Sequence, residues 1–169
     1  EELISQEYAE LNLSNPPSIL RAESTIDALE MLKGEDGQFD LIITMYNVGK
    51  LDVFGFSRQA KALRPGTPIV LLSAFSREIY RNIESGDSSC IDYVFCWNNS
   101  TDIIIAIIKL LEDKLNADQD ILEMGVRAIL LVEDSVRYYS TYLPLLYKLV
   151  LQQNSEAVRD ALNEEQQVM

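Results

Sequence analysis

Residues 39–56 read FDLIITMYNVGKLDVFGF. The run LIIT shows no polar alternation, as in a strand covered on both faces, and in a wound parallel sheet such a strand delivers its end to the edge where ligands bind. The residue delivered is Met45, whose thioether is neither a nucleophile for group transfer nor a base. Two other reactive types fall at the ends of similar runs: Ser73 after PIVLL and Cys96 after IDYVF. Carboxylates near Met45 are badly placed, because Asp40 sits five residues upstream at the far end of the strand and Asp52 in the loop beyond. A further acidic pair, Glu133 and Asp134, follows RAILLV and is suited at most to weak Mg²⁺ binding through two carboxylates and water. The plainer reading of that pair is a solvated strand end without metal.

Catalysis finds little else. The chain has no histidine, which removes the commonest general base and most metal sites, and it has no Gly-rich phosphate loop. No Lys, Arg or His neighbours Cys96 in sequence to activate it, so a packed thiol is expected and the chain is read as no enzyme. Acidic residues outnumber basic ones 27 to 14, a net charge of −13 that repels nucleic acid and steers basic partners. The most apolar window, residues 103–111, is far short of the roughly 20 residues a bilayer requires, and Asp102 and Glu112 flank it. Only Cys90 and Cys96 are present, too few for a disulfide scaffold, so the reducing cytoplasm is the expected compartment. A chain that begins Glu-Glu reads as trimmed or as a piece of something longer.

The elements that must position these residues alternate in type. Four apolar runs, at 18–21, 41–44, 69–72 and 91–95, are separated by helical patterns, which predicts parallel βαβ units. Ser24 caps TIDALEML, with Gly34 past its end, and Phe56, Ala60 and Leu63 share the face of a second helix that Pro65-Gly66 stops. Ile79 and Ile83 mark a short helix after PIVLLSA. Ser100 caps the longest one, which runs to about Met124 before Gly125, with Ile104, Ile108, Leu111, Leu115 and Leu122 in a 4, 3 rhythm that breaks at Asp118. That rhythm fits a plain amphipathic helix or a dimer seam and linker. Residues 1–12 are helical with Ile4, Tyr8 and Leu11 on one face. After Gly125 come a strand-like run, VRAILLVEDS, a helix that Pro144 is expected to kink, and a polar tail.

This order resembles the receiver domain of bacterial two-component response regulators, a CheY-like, flavodoxin-like α/β fold with a doubly wound parallel sheet of order 2-1-3-4-5. DLIITMYNVGKLDVFGF is similar to the family's third strand and loop, PIVLLSA to its fourth strand with the switch residue at Ser73, and IDYVFCW to its fifth with the switch aromatic at Tyr93. The resemblance implies that Met45 stands where receivers carry the phosphate-accepting aspartate and Cys96 where they carry a lysine. Val48-Gly49 and Asp52-Val53 depart from the usual Met-Pro and Asp-Gly. It therefore implies a pseudo-receiver whose phosphoacceptor pocket, Met45, Ser73 and Cys96, is degenerate, with Met45 filling space.

The resemblance covers about residues 1–115 and lacks the central first strand. RAILLVEDS resembles that strand, so residues 126–169 are either the start of a second receiver, as in tandem-receiver proteins attached to phosphoenolpyruvate synthase-like modules, or a completing element that enters the sheet in cis or from a second chain; residues 116–125 are the linker. Entry from a second chain gives a strand-swapped homodimer. Residues 1–12 and 136–152 both resemble a first helix, and one slot does not hold two. The expected function is a regulatory, protein-interaction module of a signalling protein, working on other domains of that protein. The alternatives are an architectural dimerisation linker built on Ile104, Ile108, Leu111 and Leu115, and an active phospho-accepting receiver in a phosphorelay.

Overall fold

The computed structural model describes residues 2–11, 13–34, 38–46, 52–74, 81, 88–97 and 99–167, without the side chains of 157–167. The chain divides into two compact units, Leu20–Asn98 and the pair of segments Glu1–Ile19 and Asn99–Met169.

The first unit is a small α/β layer. Its parallel sheet consists of β1 (Ile42–Met45), β2 (Ile69–Ser73) and β3 (Tyr93–Cys96), in that spatial order. Every residue of β2 is buried, as an unbroken apolar run predicts for a central strand. The register pairs Ile42 with Ile69 and Met45 with Leu72, and on the other side Val70 with Tyr93 and Ser73 with Cys96.

Helices α2 (Thr25–Lys33) and α3 (Val53–Leu63) cover one face. Leu29 and Leu32 of α2 meet Phe56 and Ala60 of α3 over Ile69, with Phe39 and Ile42 packed alongside. Ser24 caps α2 as its sequence promises, accepting the Asp27 N–H at 3.1 Å and donating its hydroxyl to the Asp27 carboxylate at 2.7 Å. The far end of α2 is closed from a distance: Arg64 donates to the carbonyls of Leu32 and Gly34, both at 3.0 Å. Asp52 caps α3 by accepting the Gly55 N–H at 2.8 Å.

The second unit is helical. It contains α1 (Glu2–Glu10), α4 (Asp102–Asp118), a π-helical turn (Gln119–Glu123) and α5 (Val136–Gln167). Ile4, Tyr8 and Leu11 of the N-terminal segment bury together with Ile105 of α4, and Leu151 of α5 packs on them. The expected break of rhythm at Asp118 is where α-helix gives way to the π turn, and Gly125 ends the element at φ +68°, which a glycine adopts without strain. Helix α5 continues through Pro144. Among the described residues no helix is long and apolar enough to cross a membrane.

Two expectations are corrected here. Residues 18–21, read as a strand, join no ladder, and Leu20 is exposed. Residues 126–132, read as a strand entering the sheet in cis or from a second chain, join no ladder within this chain; all but the half-buried Leu131 are exposed, and the Val126 N–H donates to the Asp120 carbonyl at 2.9 Å. The physical reason is shared: each needs a neighbouring strand to satisfy its backbone, and in the expected order each was the other's neighbour. The helix containing Ile79 and Ile83 lies outside the described residues.

Candidate functional site

In a parallel sheet all strands deliver their C-terminal ends to one edge. Met45, Ser73 and Cys96 are the last residues of β1, β2 and β3, so the fold brings the three positions to that edge on adjacent strands. Ser73 and Cys96 are register partners and share a face; Met45 pairs with Leu72, one position short of Ser73, and the pleat turns it to the opposite face. Ser73 is 6% exposed, its carbonyl accepting the Trp97 N–H at 2.9 Å. Cys96 is half-buried, and neither it nor Cys90 is disulfide-bonded.

Met45 departs from expectation. Far from filling a gap, it is 48% exposed, because β1 is an edge strand with no neighbour on its outer side among the described residues. Ile43, on the same face, is 38% exposed. Tyr93 opens β3 in a half-buried position, its ring 6.5 Å from that of Phe95 at a tilt of 31°.

The residues at the strand tips do not fit Mg²⁺. A thioether, a hydroxyl and a thiol are a poor donor set for a hard cation. Asp40 is exposed ahead of β1, and Asp52 is committed to capping α3. Glu133 accepts the Ser135 N–H at 2.9 Å at the start of α5, so its carboxylate serves the helix terminus. Among the described residues no group of three or more His, Cys, Asp or Glu is arranged to hold a metal ion.

Sequence reasoning missed the polar latch at the opposite edge. Asp92 accepts the Ile69 N–H at 2.7 Å and pairs with Lys61 at 2.8 Å, while Lys61 also donates to the Thr67 carbonyl at 3.0 Å. The available signal was a lone carboxylate directly before an apolar strand. The linker residues also sit differently from the expected stripe. The inward face of α4 holds Ile103, Ala106, Ile107 and Leu111; Ile104 and Ile108 are half-buried, and Leu115 is 79% exposed.

With this geometry in hand, comparison with known proteins gives a fold and no family. No family model matches the chain, nor does any curated protein. Among solved structures, an adenylate cyclase from Rhodopirellula baltica is similar at a TM-score of 0.50 and 15% identity, covering 72% of this chain and 90% of that one. A response regulator protein from Burkholderia pseudomallei is similar at a TM-score of 0.44 and 13% identity, covering 76% of this chain and 69% of that one. At such identities likeness concerns architecture alone: an α/β arrangement of a parallel sheet and helices.

Proposed function

We propose that this chain is a receiver-like regulatory module of a two-component-type signalling protein that works by contact and does not accept phosphate. One observation carries the reading: the tip of β1, where the receiver resemblance places the phosphoacceptor, presents a half-exposed thioether. A thioether does not form a stable phosphoryl ester, and Cys96, at the tip of β3, supplies no cation for a phosphoryl oxygen. Asp40 and Asp52 are the nearest acidic substitutes in sequence, one exposed ahead of β1 and the other capping α3.

The module is cytoplasmic and not an enzyme. Its net charge of −13 selects basic protein surfaces and repels nucleic acid. The recognition surface includes Tyr93 and β3, and the partners are a second copy of the chain and other domains of the same protein. Incubation with acetyl phosphate and Mg²⁺, followed by intact mass, tests the reading: the mass stays unchanged, whereas one phosphoryl adduct per chain overturns it.

The exposure of Leu115, Ile121 and Leu122 favours a second reading, an architectural dimerisation linker. The two separate by mutation. Under the first, Tyr93→Ala weakens partner binding and Leu115→Asp does not; under the second, the reverse holds.

A further inference from the structure

Residues 126–132, VRAILLV, have the composition of a buried parallel strand and the environment of a surface loop. They lie in no ladder, with Leu130 88% and Val132 83% exposed. The helix that follows is exposed in the same way. On one side of α5 Ser140 and Leu143 are buried, while Tyr138, Tyr142, Leu145 and Leu149, spaced 4, 3 and 4 residues apart, form a stripe in solvent. Tyr138 and Tyr142 stack at 6.1 Å within it.

The sheet shows the matching deficit. Among the described residues β1 is bonded by β2 alone, and its sequence, IITM, contains no Pro, Lys or other charge of the kind that protects an exposed edge. Its face toward Ile69 is covered by α2 and α3, whereas Ile43 and Met45 on the other face are exposed.

We propose that residues 129–132 of a second copy pair in parallel with β1, that the exchange is reciprocal, and that the result is a closed two-fold dimer. ILLV matches the four residues of β1 in length. Because α2 and α3 occupy one face, and Val70 and Leu72 on the other are already buried, the incoming helix lies against the β1 margin of that other face, where its stripe and the pair Ile43 and Met45 cover one another. The same chain carries both the open edge and the unpaired strand, so a single reciprocal exchange satisfies both in both copies and leaves no end for further growth. The tether favours exchange over insertion into the chain's own sheet. The 17-residue α4 and the 5-residue π turn together extend about 33 Å, against roughly 13 Å for a four-residue strand. The inference is independent of whether the pocket accepts phosphate.

Sedimentation equilibrium of the full chain from micromolar to hundred-micromolar concentration, with hydrogen exchange on the same samples, is the test. A species of twice the 19.2 kDa chain mass, with amides 129–132 and 42–45 protected together, is expected. Ile129→Pro, which removes a ladder donor, and Leu130→Asp yield monomers with unchanged circular dichroism, because neither side chain is packed within one chain; Leu115→Asp leaves the dimer intact. A wild-type monomer at all concentrations overturns the proposal. So does a dimer that survives Ile129→Pro, or one that Leu115→Asp dissolves. Acetyl phosphate labelling leaves this outcome unchanged, so failure here and failure of the inert pocket are read separately.

Discussion

At the edge of the sheet opposite Met45, the Asp92 carboxylate holds the backbone N–H of a fully buried Ile69 and the Lys61 ammonium together. Removing it strands a buried donor, so Asp92→Ala is expected to cost about 1–3 kcal/mol in urea unfolding, most of it from the lost amide partner and little from the partly exposed ion pair. Tyr8 presents the opposite case. Its hydroxyl is buried with no hydrogen-bond partner among the described residues, under the Lys109 ammonium 5.7 Å from its ring. Burial first and the Glu112 carboxylate second push its pKa up to about 12. A raised folded-state pKa means the unfolded chain ionises first, so this contribution is intact below about pH 10 and fades as pH rises toward 12. Tyr8→Phe should therefore hold or raise stability at neutral pH and flatten the alkaline limb of a stability profile; a clear loss of stability at pH 7 contradicts that. Tyr147 is raised further, by burial and then by donating to Asp113 at 2.6 Å, and joins α5 to α4. Met45 at a strand tip was legible from LIITM alone. Its exposure was not, because a sequence shows that a strand is apolar without saying whether anything covers it.

Among the elements, those with local instructions formed as read. Ser24 and Asp27 bracket the start of α2, and Asp118 and Gly125 bracket the end of the long helix with a π turn and a left-handed glycine. Helix α4 begins at Asp102, whose N–H donates to the Ser100 hydroxyl at 3.2 Å. Three of the strand-like runs found neighbours and became β1, β2 and β3, but the two whose expected neighbour was each other did not form as read. Residues 18–21 and 126–132 carry strand sequences, yet a strand acquires hydrogen bonds only from a neighbour, and a pattern along the chain does not specify which neighbour is present. The Arg64 closure of α2 was likewise invisible, since it spans 32 residues of sequence to the Leu32 carbonyl. Because it satisfies two helix-terminal carbonyls from a partly exposed position, Arg64→Ala is expected to lower the thermal midpoint by an amount corresponding to about 1 kcal/mol. Arg64→Lys should recover only part of that, an ammonium being unable to span both oxygens in a fork.

On the scale of the whole molecule, the chain combines a net acidic charge, a sheet edge uncovered among the described residues, and a segment at 126–149 with exposed apolar side chains. Exposed apolar strands of this kind are docking sites or aggregation sites. Added salt should strengthen self-association, since it screens the repulsion between two chains of net charge −13; a dimer that weakens between low and physiological salt argues for ion pairing as its basis instead. The central claim, that the tip of β1 signals without covalent turnover, is tested most directly by the ¹⁹F spectrum of the protein titrated with beryllofluoride and Mg²⁺, a phosphoryl mimic that binds a receiver's acceptor carboxylate. The account predicts free beryllofluoride signals alone at every concentration; a bound resonance that saturates at one equivalent per chain contradicts it.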